Sequence, residues 1–228
     1  MNIISSIKNL SLFERFLWVF SLIGVSVCYA LTPEKSLLSL AASLIGVTAL
    51  IFVAKGDVVG QALSVVFALF YALVSWKMKY YGEIITYLCM TAPIAMMSVV
   101  TWLRNPYSEH EVRVRTLNVR QWIALVCLAG AVTVAFYFIL DYFDTPNLIF
   151  STLSVFTSFM ASGLTMLRSE YYGFWYGMND IVLIVLWVLA SIEDVSYAPM
   201  VACFGIFLLN DAYGFINWQR IKKRQKLN

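Results

Sequence analysis

The sequence predicts an all-α integral membrane protein of eight transmembrane helices, a 3+1+3 parallel-repeat core with an extra N-terminal helix. Three observations predict it. First, 61% of the 228 residues are hydrophobic and 13% charged, where a soluble domain carries about 25% charged residues. Second, apolar runs of about 20 residues recur from end to end, the length a helix needs to cross a bilayer. Third, two groups of three runs are flanked by similar links.

The spans are expected at 13–31, 37–54, 58–76, 83–103, 121–140, 148–167, 172–190 and 197–217. The run at 13–31 does not read as a cleaved leader. It lacks a small-residue cleavage site, and Glu14 and Arg15 stand at its start. It is therefore the additional N-terminal helix. Runs 37–103 form the first three-helix repeat and 148–217 the second, with 121–140 as the helix between them. The links are short, except for 104–120. Residues 218–228 form a basic tail. Pro93 and Pro199 fall inside the fourth and eighth runs and are expected to kink or break them.

Orientation follows from where Lys and Arg sit in short loops. Eight spans put both termini on one side. Thirteen of the 16 basic residues then share that side: Lys8, Arg15, Lys55, Arg104, Arg113, Arg115, Arg120, Arg168, Arg220, Lys222, Lys223, Arg224 and Lys226. The other side holds Lys35, Lys77 and Lys79, with Asp141, Asp144, Glu193 and Asp194. The basic side is read as cytoplasmic. A seven-span arrangement would leave the C-terminal cluster opposite the 104–120 loop. The tail from Arg220 to Lys226 reads as a stop and an anchor on anionic lipid heads, with no nucleic-acid role.

The internal symmetry rests on two alignments. Ala54-Lys55-Gly56-Asp57 parallels Leu167-Arg168-Ser169-Glu170, and Gly60 falls 113 residues before Gly173. Ser98 to Arg104 parallels Gly214 to Arg220 at an offset of 116, matching Trp102 with Trp218. Three spans per copy with one between give both copies the same orientation, a repeat about an axis along the membrane normal.

Polar groups inside spans are costly and face the interior or a water-filled path. The densest stretch runs from Tyr171 to Asp180. Tyr172, Trp175, Tyr176 and Asn179 stand at i, i+3, i+4 and i+7, one helical face carrying aromatic rings and an amide. Asp180 lies about 100° further round. Gln61 in the third run, Glu83 and Tyr87 in the fourth, and Asn210 and Asp211 in the eighth complete the candidate substrate-binding set. The alternatives are structural: Asn and Gln that bond a neighbouring helix, Asp180 and Asp211 that pair with each other. Trp18, Trp76, Trp102, Trp122 and Trp218 near run ends read as interfacial belt residues. Cys28, Cys89, Cys127 and Cys203 are each isolated and His110 is the lone histidine, so no metal, haem or iron–sulfur cofactor is expected. Gly163 and Gly177 leave room for close helix contact, within the chain or in a homo-oligomer.

These residues resemble a known family. Tyr172-x-x-Trp175-x-x-x-Asn179 is similar to the Trp-x-x-Trp-x-x-x-Asn/Asp motif of the PnuC vitamin transporters. Tyr81-Gly82-Glu83, Trp102 and Asn210-Asp211-x-Tyr213-Gly214-Phe215-x-Asn217-Trp218 also resemble that family. The resemblance implies a 3+1+3 fold like that of the full-length SWEET sugar carriers. It implies uptake of nicotinamide riboside by facilitated diffusion, trapped by a cytoplasmic nucleoside kinase. It carries a nucleoside-lining role to Trp175 and Asn179. Tyr172 departs from the motif's Trp, and relatives in the family move thiamine, so another vitamin or a sugar is the alternative passenger.

The chemistry suits a nucleoside with a cationic ring. Aromatic faces attract such a ring by about 0.5 to 2 kcal/mol each. Asn and Gln meet amides and hydroxyls with paired bonds. A phosphate would call for Arg or Lys in mid-membrane, and these spans have none there. An intramembrane enzyme using Asp180 and Asp211 is the reading from another class. Against it, no histidine lies in a span and no nucleophile lies beside a base.

Overall fold

Local signals in the chain set the helix ends. Helix α1 (Ile3–Lys8) precedes the first run, and Ser11 with Glu14 then caps α2 (Leu12–Leu31) by a reciprocal capping box. Helix α3 (Leu37–Lys55) ends at Gly56, whose φ of 82° suits glycine. Helix α4 (Val58–Lys77) follows at once. A π-helical turn (Thr86–Thr91) runs into α5 (Ala92–Leu103). A small antiparallel hairpin, β1 (Pro106–Ser108) and β2 (Glu111–Val112), fills the longer loop. Asn118 and Gln121 form a second capping box at α6 (Val119–Tyr142). Helices α7 (Leu148–Met166), α8 (Tyr172–Glu193) and α9 (Ala198–Leu227) complete the chain. The computed structural model describes residues 3–33, 36–77 and 84–227.

Among the described residues, seven helices are long and apolar enough to cross a membrane, and Val58–Val74 within α4 is a shorter apolar stretch. The chain is thus a multi-span helical membrane protein. Four local expectations need correction. Helix α1 and the hairpin were not anticipated, because six residues and a two-rung ladder leave no periodic signal. Pro93 does not break its helix. It follows the π-helical turn, where Ala92 N–H reaches back to Tyr87 O, and the wider turn accommodates a residue that lacks a donor. Pro199 is the second residue of α9, where a missing N–H costs nothing. The basic tail is a continuation of α9 docked on protein. Lys222 pairs with Glu170, which is buried, and Arg224 pairs with Glu111. Gln225 bonds Glu111, Val112 O and Val114 N–H.

The same side of the molecule holds α1 and α2 in place. His110 contacts Ser5 at 2.8 Å and Asp57 at 3.1 Å. Glu14, buried in α2, accepts from Lys55 of α3 and Tyr213 of α9.

The two three-helix groups meet by matched contacts. Helix α3 packs on α4 and α4 on α5; α7 packs on α8 and α8 on α9; then α9 crosses to α3 and α5 to α7. Trp218 Nε1–H donates to Val53 O and Trp102 Nε1–H donates to Thr165 O, both at 2.9 Å. Asn217 Nδ2–H donates to Ala54 O, and Thr101 Oγ1–H to Met166 O. Each donor pair lies on the third helix of one group; each acceptor pair lies in the last turn of the first helix of the other. The two indoles are buried and lie 5.4 Å apart, ring centre to ring centre. They are core residues, a correction to the interfacial-belt expectation for these two. Replacing either Trp by Phe removes one of the two hydrogen bonds its carbonyl accepts, since Val53 O also takes Gly56 N–H and Thr165 O also takes Arg168 N–H. Each single change is expected to lower stability by about 0.5 to 1.5 kcal/mol, read as a reduced Tm of the purified protein. An unchanged Tm in both would show the matched bonds to be idle.

Gly163 and Gly177 serve contacts inside the chain. A Cβ at Gly163 would overlap Leu125 of α6 at 2.6 Å, and one at Gly177 would touch Leu208 of α9 at 3.4 Å. Helix α6 packs along α7 and presents Ile123, Val126, Val134 and Phe138 outward, a face fit for lipid.

Candidate substrate site

Helix α8 is the organising element. Phe174, Met178, Ile181, Val185, Val188 and Ile192 are exposed, a lipid-facing stripe at three- and four-residue spacing. The remaining surface of α8 is divided between α7 and α9.

Toward α7, Asn179 Oδ1 accepts a hydrogen bond from Thr157 Oγ1 at 2.8 Å, with both residues buried. One turn away Tyr176 OH and Ser162 Oγ are 3.1 Å apart. The Trp175 ring is half-buried and meets Phe156 edge-on at 6.0 Å. An amide, two hydroxyl-bearing partners and an indole therefore line one seam. Thr157 fixes which way the Asn179 amide points, and no described residue accepts from its Nδ2.

Toward α9, the carboxyls of Asp180 and Asp211 are both buried and lie close enough to interact. Asp180 Oδ2 is buried without a partner among the described residues. The backbones come close here: a Cβ at Gly173 would lie 2.6 Å from Phe215 N and 2.8 Å from Asp211 O. Tyr172 is enclosed, only 1% exposed, with its ring 4.6 Å from Trp218 and its hydroxyl against Gly214.

The remaining candidates are dispersed. Asn210 neighbours Asp211 in sequence yet turns to α2, where its Nδ2 donates to Ser21 Oγ at 2.8 Å. Its Oδ1 is buried and unpartnered among the described residues. Gln61 is buried in α4. The Tyr87 ring lies 4.2 Å from that of Tyr71 at a tilt of 34° and is edge-on to Phe67 at 6.0 Å. Glu83 falls outside the described residues. Thus the structure joins Trp175, Tyr176 and Asn179 along one seam and Asp180 with Asp211 along the next, and it sets Asn210 and Tyr87 apart.

Thr157, Ser162 and Phe156 were missed by sequence reasoning. A signal was present: Ser151, Ser154, Ser158, Ser162 and Thr165 recur every three or four residues along α7, with Thr157 beside them. That is a hydroxyl stripe within an apolar run.

The arrangement can hold a flat, hydrogen-bonding molecule: it offers an aromatic edge, an oriented amide and a spare carboxyl oxygen. Neither α7 nor α8 contains Lys or Arg. Comparison with known proteins identifies the family. The family model described as nicotinamide mononucleotide transporter matches residues 36–220. The nicotinamide riboside transporter PnuC of Neisseria mucosa is 27% identical over 215 residues, covering 91% of this chain and 81% of its own. The protein of the same name from Haemophilus influenzae is 26% identical over 200 residues, covering 86% and 84%. The crystal structure of the vitamin B3 transporter PnuC superposes with a TM-score of 0.78 at 25% identity, covering 95% of this chain and 94% of that one. These relatives are transporters and not enzymes. With the family model spanning most of its length and its oriented amide lying between helices of a matching fold, this chain belongs to the PnuC family of membrane transporters.

Proposed function

We propose that this protein carries nicotinamide riboside across the inner membrane. The observation that carries the reading is the seam between α7 and α8, where Thr157 orients Asn179 beside Trp175 and Tyr176. The Nδ2 hydrogens of Asn179 suit the nicotinamide carbonyl or a ribose oxygen. Asp180 Oδ2 suits a hydroxyl or amide donor. The Trp175 ring suits the pyridinium. Tyr172, enclosed under Trp218, leaves Trp175 as the accessible platform of the motif.

The finer architecture belongs to the same proposal. Eight spans form a 3+1+3 parallel repeat with α2 outside it, and both termini lie in the cytoplasm. The matched Trp102–Thr165 and Trp218–Val53 bonds support the repeat, and the basic residues on one side support the orientation. Transport is facilitated diffusion, and a cytoplasmic nucleoside kinase traps the product by adding a phosphate. The lack of Lys and Arg in α7 and α8 supports the riboside over its mononucleotide as passenger.

The test is a titration of purified protein with nicotinamide riboside, its mononucleotide and thiamine side by side, followed by uptake into sealed vesicles. Saturable binding of the riboside alone, with uptake in the absence of any ion gradient, is expected. Preference for thiamine would change the passenger. Uptake only with a proton or sodium gradient would overturn facilitated diffusion and point to Asp180 and Asp211 as the coupling groups.

A further inference from the structure

Three basic side chains that pack against this protein are neutralised by a carboxylate. Lys55 has Glu14, Lys222 has Glu170 and Arg224 has Glu111. One group is different. Arg168 ends α7 with a φ of 60° and is 9% exposed, yet its Nε has no partner among the described residues. Its backbone carbonyl accepts from Arg115 N–H at 2.9 Å, which lays the segment after the hairpin alongside it. Arg113 and Arg115 are exposed and have no acidic partner among the described residues. Burial, then the positive charges of Arg115 and Arg113, lower the Arg168 guanidinium from its ordinary range. The acids on neighbouring elements each carry a basic partner, Glu170 Oε1 with Lys222 and Glu111 with Arg224 and Gln225, while Glu170 Oε2 is buried without a partner among the described residues.

We propose that Arg113, Arg115 and Arg168 form a phosphate-binding site at the loop end of α7, separate from the substrate seam. Three uncompensated guanidiniums repel one another, and an anion between them reverses the sign of that interaction. The planar fork of Arg matches phosphate oxygens two at a time, and a buried fork with a free N–H is already oriented for that purpose. The phosphate has two sources. It is the headgroup of an anionic phospholipid, which the neighbouring Trp122–Tyr171 ring pair at 5.8 Å would flank at the membrane boundary, or it is a soluble phosphate reaching the same side.

The experiment uses the full-length protein in neutral detergent at low ionic strength. Its Tm is followed with rising inorganic phosphate, with rising dihexanoyl-phosphatidylglycerol, and with chloride matched in ionic strength. A ligand that binds only the folded state raises Tm in a saturable way. A saturable rise with phosphate or with the lipid, absent with chloride, is expected. The midpoint should move up about tenfold in Arg168→Gln, the loss of one charge-assisted contact. A rise with phosphate alone identifies a soluble ligand, and a rise with the lipid alone identifies a headgroup. The R113Q/R115Q variant changes only exposed side chains and decides the matter should Arg168→Gln fail to fold. Riboside binding should be the same in every variant. No saturable rise with either probe, or unchanged midpoints in the variants, overturns the site.

Discussion

Asn179→Ala is expected to weaken nicotinamide riboside binding by about tenfold to a hundredfold. The estimate takes one or two net hydrogen bonds of about 1 to 1.5 kcal/mol each, with 1.4 kcal/mol per factor of ten. Position in the fold makes the loss large. Asn179 is buried at the α7–α8 seam, where water cannot replace the missing donor. Its Oδ1 is held by Thr157 at 2.8 Å, so the Nδ2 donors are presented in one direction without an ordering penalty. Three companion variants sharpen the reading. Thr157→Val releases the amide but leaves it in place, and a loss of about tenfold is expected. Trp175→Ala removes the platform and its contact with Phe156, with a comparable loss; Trp175→Phe should retain most of the affinity. Isothermal titration on folded protein measures all four. Wild-type affinity in both Asn179→Ala and Trp175→Ala would remove the seam from consideration as the site.

Gly173→Val is expected to abolish folding into a monodisperse protein. At Gly173 the first added carbon would meet the backbone of α9, at Phe215 N and Asp211 O. Backbone atoms within a helix cannot turn aside as a side-chain tip can. Helices α8 and α9 would have to part, and the Asp180–Asp211 contact and the Tyr172–Trp218 packing lie along that interface. Overpacking by a single methyl costs about 1 to 3 kcal/mol, so Gly173→Ala should already lower Tm. Valine adds two more methyls at the same point. Gly177→Ala is the control, since its Cβ would meet only the tip of Leu208 at 3.4 Å, an ordinary contact. Size-exclusion profiles and Tm values read the series. A Gly173→Val protein that elutes and melts like the parent would show that the helices can separate at no cost.

The hydrophobic runs were legible because lipid imposes one requirement on every residue of a span, and composition records it directly. The helix starts at Ser11 and Asn118 are capping boxes whose partner stands three residues away, a local signal that the expected starts at 13 and 121 did not use. Trp102 and Trp218 were legible as a matched pair, though the role expected for the two rings was wrong. A Trp near a span end looks the same in sequence whether it faces headgroups or a neighbouring carbonyl.

The candidate site was legible as a set of residues and only partly as an arrangement. The 3.6-residue period put Tyr172, Trp175, Tyr176 and Asn179 on one face, and it could not say which neighbour each would meet. Helices α7 and α9 flank α8, so rings one turn apart part company: Tyr172 turns under Trp218 and Trp175 meets Phe156. Asn210 and Asp211 are adjacent in sequence but about 100° apart around the helix, which sends one to Ser21 and the other to Asp180.

By itself the sequence determined the membrane class, the run of helices, the asymmetry of positive charge and the chemical character of the substrate stretch, because each is a property of composition or of spacing within one helix. Only the tertiary structure decided that Asn179 is oriented by Thr157, that Tyr172 belongs to the core, that the basic tail is docked on Glu170 and Glu111, and that the buried Arg168 is left without a counter-charge among the described residues. Each of those is a contact between residues distant in the chain. Such contacts depend on how far one helix is rotated against its neighbour, a quantity that no single helix encodes.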